Sequence, residues 1–236
     1  MAENEKQFES NIEAFLISPV GGYEKATDAG YISSSGMALD IHTLVEFVKV
    51  TQPIMWKRFE KRCNSDPYKK FYKCFEDAVQ MDGLLFVMRH GFKHRGLEFK
   101  ICYFKPESTL NDGAVKRYEQ NVCQCIRQWH YSEQNNNSVD MMLAINGIPV
   151  VAIELKNQLT GQTVDNAKLQ WQYDRDQREP AFWLNHRILA YFAVDLYEAW
   201  MATELKGTDT YFLPFNQGSN GAGNDGCLLY TSDAAD

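Results

Sequence analysis

The sequence predicts an α/β fold: a mixed β-sheet flanked by helices, with a helical N-terminal region. Three observations predict it. Apolar residues recur at helical spacing through residues 5–90. Beyond them, short runs rich in branched and aromatic residues alternate with turn signals, as strands do. One further helical pattern, residues 164–176, lies between two of those strands.

Taken in order, residues 5–17 set Phe8, Ile12, Phe15 and Leu16 on one side of a helix, and PVGGY at residues 19–23 is a turn. Residues 38–50 repeat the helical pattern. Pro53 suits the first turn of a helix reaching about Arg62. Asp66 and Pro67 are an N-cap and N1 pair for a helix over residues 68–79, and residues 84–90 are another apolar segment. Strands are expected at residues 99–104, 122–129, 139–145, 149–153 and 188–194, with a last pair at 200–205 and 211–215. No internal repeat is present. The glycines of NQGSNGAGND lack a following Lys-Ser/Thr, so they form an exit loop and not a phosphate loop.

Composition narrows the function. A chain of 236 residues, 44% hydrophobic, suits one domain with a substantial core. No stretch reaches the roughly 18 apolar residues of a membrane helix. The polar, acidic MAENEKQFES does not read as a secretory signal, so the expectation is a cytoplasmic protein without a membrane partner. The six cysteines have no CxxC spacing and read as small buried apolar side chains in a reducing compartment. The five histidines show neither H-x-H nor HExxH, and none is assigned to a metal.

The chemistry concentrates in residues 140–156, DMMLAINGIPVVAIELK. Two apolar runs flank Asn146-Gly147, a strong hairpin signal because both residues tolerate positive φ. Glu154 and Lys156 are two apart on one strand and share a face. Whether Asp140 joins them depends on the turn. A two-residue loop pairs Asp140 with Ile153 and turns it away. A three-residue loop, or a bulge with the same effect, pairs it with Glu154. The second register is expected. Two facing carboxylates repel unless a cation lies between them. Hard oxygen ligands suit Mg²⁺, which retains waters and can bond a phosphate. Lys156 would then orient a water or offset charge on the phosphate. The plainer reading of Glu-x-Lys is a cross-strand ion pair at a sheet edge.

This segment resembles the PD-(D/E)xK nuclease motif, and more narrowly the N-terminal nuclease domain of the R subunit of type I restriction endonucleases. LEFKICYFKP (97–106), YEQN (118–121), RQWHYS (127–132), NGIPVVAIELKN (146–157), FAVD (192–195) and LKGTDTYFLPFNQG with GAGN (205–224) resemble that family's blocks, in its order. The resemblance implies a restriction-endonuclease-like core. It also implies Asp140 and Glu154 as metal-binding acids and Lys156 as catalytic lysine. It further implies a Gln and a Tyr on the next helix, written Q-x-x-x-Y. Here that region reads NAKLQWQYDRD. Tyr173 matches the Tyr, but Leu169 stands four before it. Gln170, one helical turn away, is preferred over the adjacent Gln172 because i and i+3 share a face. Glu9, in the first helix, is a further candidate acid near the metal, set against its reading as a solvated helix face.

The activity so implied is Mg²⁺-dependent cleavage of unmodified double-stranded DNA. It would operate within a complex of modification and specificity subunits that translocates DNA with ATP. Two other readings stand beside it: a catalytically silent DNA-binding or assembly module, and a stand-alone repair nuclease of the same fold. Retention of Asp140, Glu154 and Lys156 together argues against the first. The YFLPFNQG ending argues against the second.

The net charge of −7 runs against the basic balance usual for DNA binding. Three local basic runs soften the conflict: KRFEKR (57–62), YKKFYK (68–73) and RHGFKHR (89–95). They are either DNA contacts or solvated helix faces. Residues 227–236, CLLYTSDAAD, resemble the in-frame translation of a transposon-end sequencing adapter. The expectation is therefore a nuclease domain over residues 1–226, a foreign tail, and an ATP-dependent motor missing from a truncated reading frame. Without the tail's two aspartates the charge is −5.

Overall fold

The computed structural model describes residues 5–34, 36–63, 66–132, 134–158, 161–218 and 221–222; the tail at 227–236 and the end of GAGN lie outside them. Helix α1 (Glu5–Leu16) leads to a short strand β1 (Glu24–Ala26) and to α2 (Ala29–Ser33). Then come α3 (Ile41–Thr51), α4 (Pro53–Glu60), α5 (Pro67–Asp82) and α6 (Leu84–His90). A hairpin of β2 (Phe92–His94) and β3 (Leu97–Phe99) closes this layer. After α7 (Asp112–Glu119) come the long strands β4 (Cys123–His130), β5 (Ser138–Ile145) and β6 (Ile148–Leu155). Helix α8 (Val164–Leu169) runs into a π-helical turn over Gln170–Asp174. Strands β7 (Ala190–Val194), β8 (Ala199–Ala202) and β9 (Leu213–Pro214) complete the main sheet.

That sheet has seven strands in the order β1-β4-β5-β6-β7-β8-β9. β1 with β4 and β6 with β7 are parallel, and the other pairs are antiparallel. This is the mixed, helix-flanked sheet expected from the sequence. Helix α1 lays Phe8, Ile12 and Leu16 over Cys125, Met141, Leu143 and Leu155. A second cluster joins Val164, Ala167 and Trp171 to Ile126, Met142, Ala152 and Tyr191. The N-terminal helices form their own aromatic core around Trp56, Phe59, Phe71 and Phe99, which meets the sheet at the hairpin end through Ile148 and Val150. Phe71 is fully buried there, which contributes roughly 1.5–3 kcal/mol.

Local chemistry sets the helix starts. The Asp40 carboxylate accepts from the N–H groups of His42 and Thr43 to cap α3, and Asp66 accepts from Tyr68 and Lys69 to cap α5. Pro53 and Pro67 stand in first turns, where no donor is needed.

The β5–β6 hairpin decides the site. Asn146 (φ 52°) and Gly147 (φ 79°) form a two-residue turn, so Ile145 faces Ile148. The three-residue loop is therefore absent, but a bulge has the same effect. Ala144 faces Pro149, whereas Leu143 faces Val151, leaving Val150 surplus. The paired ladder ends with Met141 facing Ile153, and the same register carried one step on sets Asp140 opposite Glu154, where its side chain accepts from the Leu155 N–H. Gly147 is required: a Cβ there would lie 2.4 Å from the Asp40 carbonyl oxygen, where the turn docks on the α3 cap.

Two expectations need correction. The strand at residues 99–104 ends at Phe99. The Gln52 side chain takes both the N–H and C=O of Lys100, and the Asn121 side chain takes both from Tyr103. Side-chain amides thus replace a neighbouring strand. The helix expected over residues 164–176 is α-helical only to Leu169 and then widens into the π turn.

Candidate active site

Glu154 is wholly buried on β6. Its Oε1 accepts from Arg175 Nε at 2.8 Å and pairs with Nη2 at 2.6 Å. Its Oε2 has no hydrogen-bond partner. Burial, then the negative charge of Asp140, push the Glu154 carboxyl up to about 8, against the opposing pull of Arg175. Asp140 is half-buried on β5. Its Oδ2 accepts from the Leu155 N–H at 2.8 Å, and Oδ1 has a 3.4 Å contact from Gln128 Nε2. Lys156, half-buried, follows directly after β6, its N–H donating to the Val194 carbonyl at 2.9 Å.

Glu9 is 4% exposed, unlike a solvated helix face. Its Oε2 accepts from Arg127 Nε and Nη2 at 3.0 and 2.6 Å, and its Oε1 accepts from Gln128 Nε2 at 3.2 Å. Burial raises the Glu9 carboxyl, and Asp140 adds to the effect. The first helix is therefore joined to Asp140 through one shared amide.

The π turn bears on the helix motif. Spacings of four carry Ala167, Trp171 and Arg175 inward, while Tyr173 is exposed and Gln170 half-buried. Residues i and i+3 share a face on an α-helix, whereas the wider π turn separates Gln170 from Tyr173. Gln172 donates to the carbonyls of Thr208 and Thr210 at 3.4 and 3.2 Å, which commits it to the loop before β9.

Two residues at the site were not foreseen. Arg175, 9% exposed, is the counter-ion of Glu154, and its Nη2 also donates to the Ser138 carbonyl. The signal for it was indirect: a buried strand carboxylate needs a cation, and YDRD supplies one on the following helix. Gln128 sits in β4 with a positive φ of 50°, which no pattern in the sequence announces.

The donor set fits a small, oxygen-preferring dication. Glu154 Oε2 is buried without a partner, and Asp140 Oδ1 lacks a short one. Among the described residues no group of three or more His, Cys, Asp or Glu could enclose a metal. Two carboxylate oxygens suit Mg²⁺, which keeps several waters, and not a closed zinc site.

A mixed sheet whose central hairpin presents an Asp opposite the Glu of Glu-x-Lys, followed by a helix, is a restriction-endonuclease-like fold of the PD-(D/E)xK class. A family model described as "Type I restriction enzyme R protein N terminus" matches residues 49–219, and the chain belongs to that family. Among curated proteins none matches. Among the described residues no helix is long and apolar enough to cross a membrane.

Proposed function

We propose that the chain is the Mg²⁺-dependent nuclease module of a type I restriction R subunit, hydrolysing phosphodiester bonds of unmodified double-stranded DNA. The observation that carries this reading is the opposition of Asp140 to Glu154, whose Oε2 is buried and unpartnered, with Lys156 two residues on. Asp140 and Glu154 would hold the cation. Once bound, Mg²⁺ supplies Lewis-acid polarisation of a phosphoryl oxygen and a more acidic water. Lys156 orients the attacking water and offsets charge on the phosphate. Gln170 is the motif amide candidate, because Gln172 is engaged elsewhere. Tyr173 is the motif tyrosine candidate in this reading, and its exposure leaves the ring open to a substrate. We set the nuclease unit within residues 1–226, with ATP used by a separate motor region and the target chosen by specificity and modification subunits.

One observation favours the silent module: Arg175 already neutralises Glu154 in part. Plasmid cleavage separates the readings. Supercoiled DNA with Mg²⁺ is expected to be nicked by the chain, not in EDTA and not by Lys156→Ala. If the isolated chain is silent, it is joined to a homologous motor with its partner subunits. Silence there would sink the nuclease reading.

A further inference from the structure

Gln128 combines two unusual features. It is a non-glycine residue held at φ 50° inside a strand. That left-handed conformation is disfavoured for a side chain of this size and persists where surrounding contacts over-determine it. Its amide also bonds three residues around the acid pair. Nε2 reaches Glu9 Oε1 at 3.2 Å and Asp140 Oδ1 at 3.4 Å, while Ser138 Oγ donates to Oε1 at 3.1 Å. The orientation of the amide follows from its neighbours: the Ser138 hydroxyl donates to Oε1, which leaves the NH₂ end for the carboxylate oxygens of Glu9 and Asp140.

These bonds close a circuit. Ser138 gives its hydroxyl to Gln128 and its carbonyl to Arg175, which holds Glu154. Gln128 holds Asp140 and is held by Glu9, which Arg127 anchors. The two acids are thus each gripped from behind, with Glu154 Oε2 left without a partner. Residue 128 stands opposite Asp140 in the β4–β5 register, between the Arg127–Met141 and Trp129–Val139 pairs, and from this left-handed position its amide reaches both Asp140 and Glu9.

We propose that Gln128 is a positioning residue, whose left-handed backbone and bridging amide fix Asp140 Oδ1 for the cation and tie it to Glu9. This rests on the metal-site reading above and deepens it. Supporting partners of metal-binding carboxylates set their orientation, and losing one weakens metal affinity by about 10–100-fold. Gln128→Gly relieves the backbone and removes the amide. Gln128→Asn tolerates the left-handed region but is one methylene too short.

The test reads two quantities in the full 236-residue chain. One is the apparent Kd for Mn²⁺, followed by loss of the free-ion electron paramagnetic resonance signal. The other is the metal-free Tm. Both variants are expected to keep or raise Tm while Mn²⁺ affinity falls by about tenfold. A purely structural residue would lower Tm in step with affinity, and that result overturns the proposal, as does wild-type affinity in both variants. Asp140→Asn serves as the control and should abolish binding. If wild-type protein itself takes up no Mn²⁺, the metal-site reading fails first and takes this proposal with it.

Discussion

Asn146 shows how one residue can do two jobs. Its positive φ makes the turn. Its side chain, fully buried, accepts from the Val122 N–H at 2.7 Å and donates to the Ile101 carbonyl at 2.8 Å and to Asn121 Oδ1 at 3.1 Å. Asn121 in turn holds Tyr103. Three blocks that resemble the family's, LEFKICYFKP, YEQN and NGIP, therefore meet at one pair of amides, Asn146 buried and Asn121 half-buried. Asn146→Ala leaves the half-buried Val122 N–H and the buried Ile101 carbonyl unmatched and should cost about 2–3 kcal/mol in stability. Urea unfolding followed by tryptophan fluorescence measures it; a loss below about 0.5 kcal/mol, the range of ordinary surface changes, would refute the role. The turn was legible in Asn-Gly because it is local chemistry. The amide pair was not, because its partners lie far away in the chain. Arg175 was hidden for the same reason.

At the scale of elements, the legible parts were those with a strong period or a strong cap. Asp66-Pro67 announced α5, and the apolar runs announced β5 and β6. The bulge was foreseen as one of two ways to bring the acids together, since the residue count alone demanded an odd step. The π turn over Gln170–Asp174 was not legible, because nothing in the local pattern QWQYD distinguishes it from a continuing α-helix. The basic runs were ambiguous in sequence. In the fold, Arg62, Lys70, His94 and Arg95, drawn from all three, surround one shallow depression beside Phe59. If this is a phosphate contact, the double variant Arg62→Glu, Arg95→Glu should weaken duplex binding several-fold and flatten its salt dependence by about one to two units of slope. Fluorescence anisotropy across a salt series gives both; an unchanged slope would mark these residues as solvated surface.

The whole molecule is joined across its layers by a second charge cluster. Glu76 on α5 pairs with Arg187 at 2.8 Å and with His186, both just before β7. Burial raises the Glu76 carboxyl, but His186 and Arg187 outweigh it and bring it down to about 2. A depressed acid stabilises the fold above its unfolded value near 4.5, and that contribution disappears as pH falls toward 2. Its size is about 3 kcal/mol. Acid unfolding should therefore show a limb in that window that Glu76→Gln removes; an identical profile in the variant would assign acid sensitivity elsewhere. The division into an N-terminal helical layer and a sheet was visible in the sequence, whereas this clasp between them was not. The surplus residue of β6 has its own consequence at this scale. A chain lacking Val150 would close as a regular hairpin with Asp140 and Glu154 still opposed. The loss would fall on the helical-layer core, where Val150 is buried. Removal of this one residue is therefore expected to weaken the fold while leaving the two acids face to face.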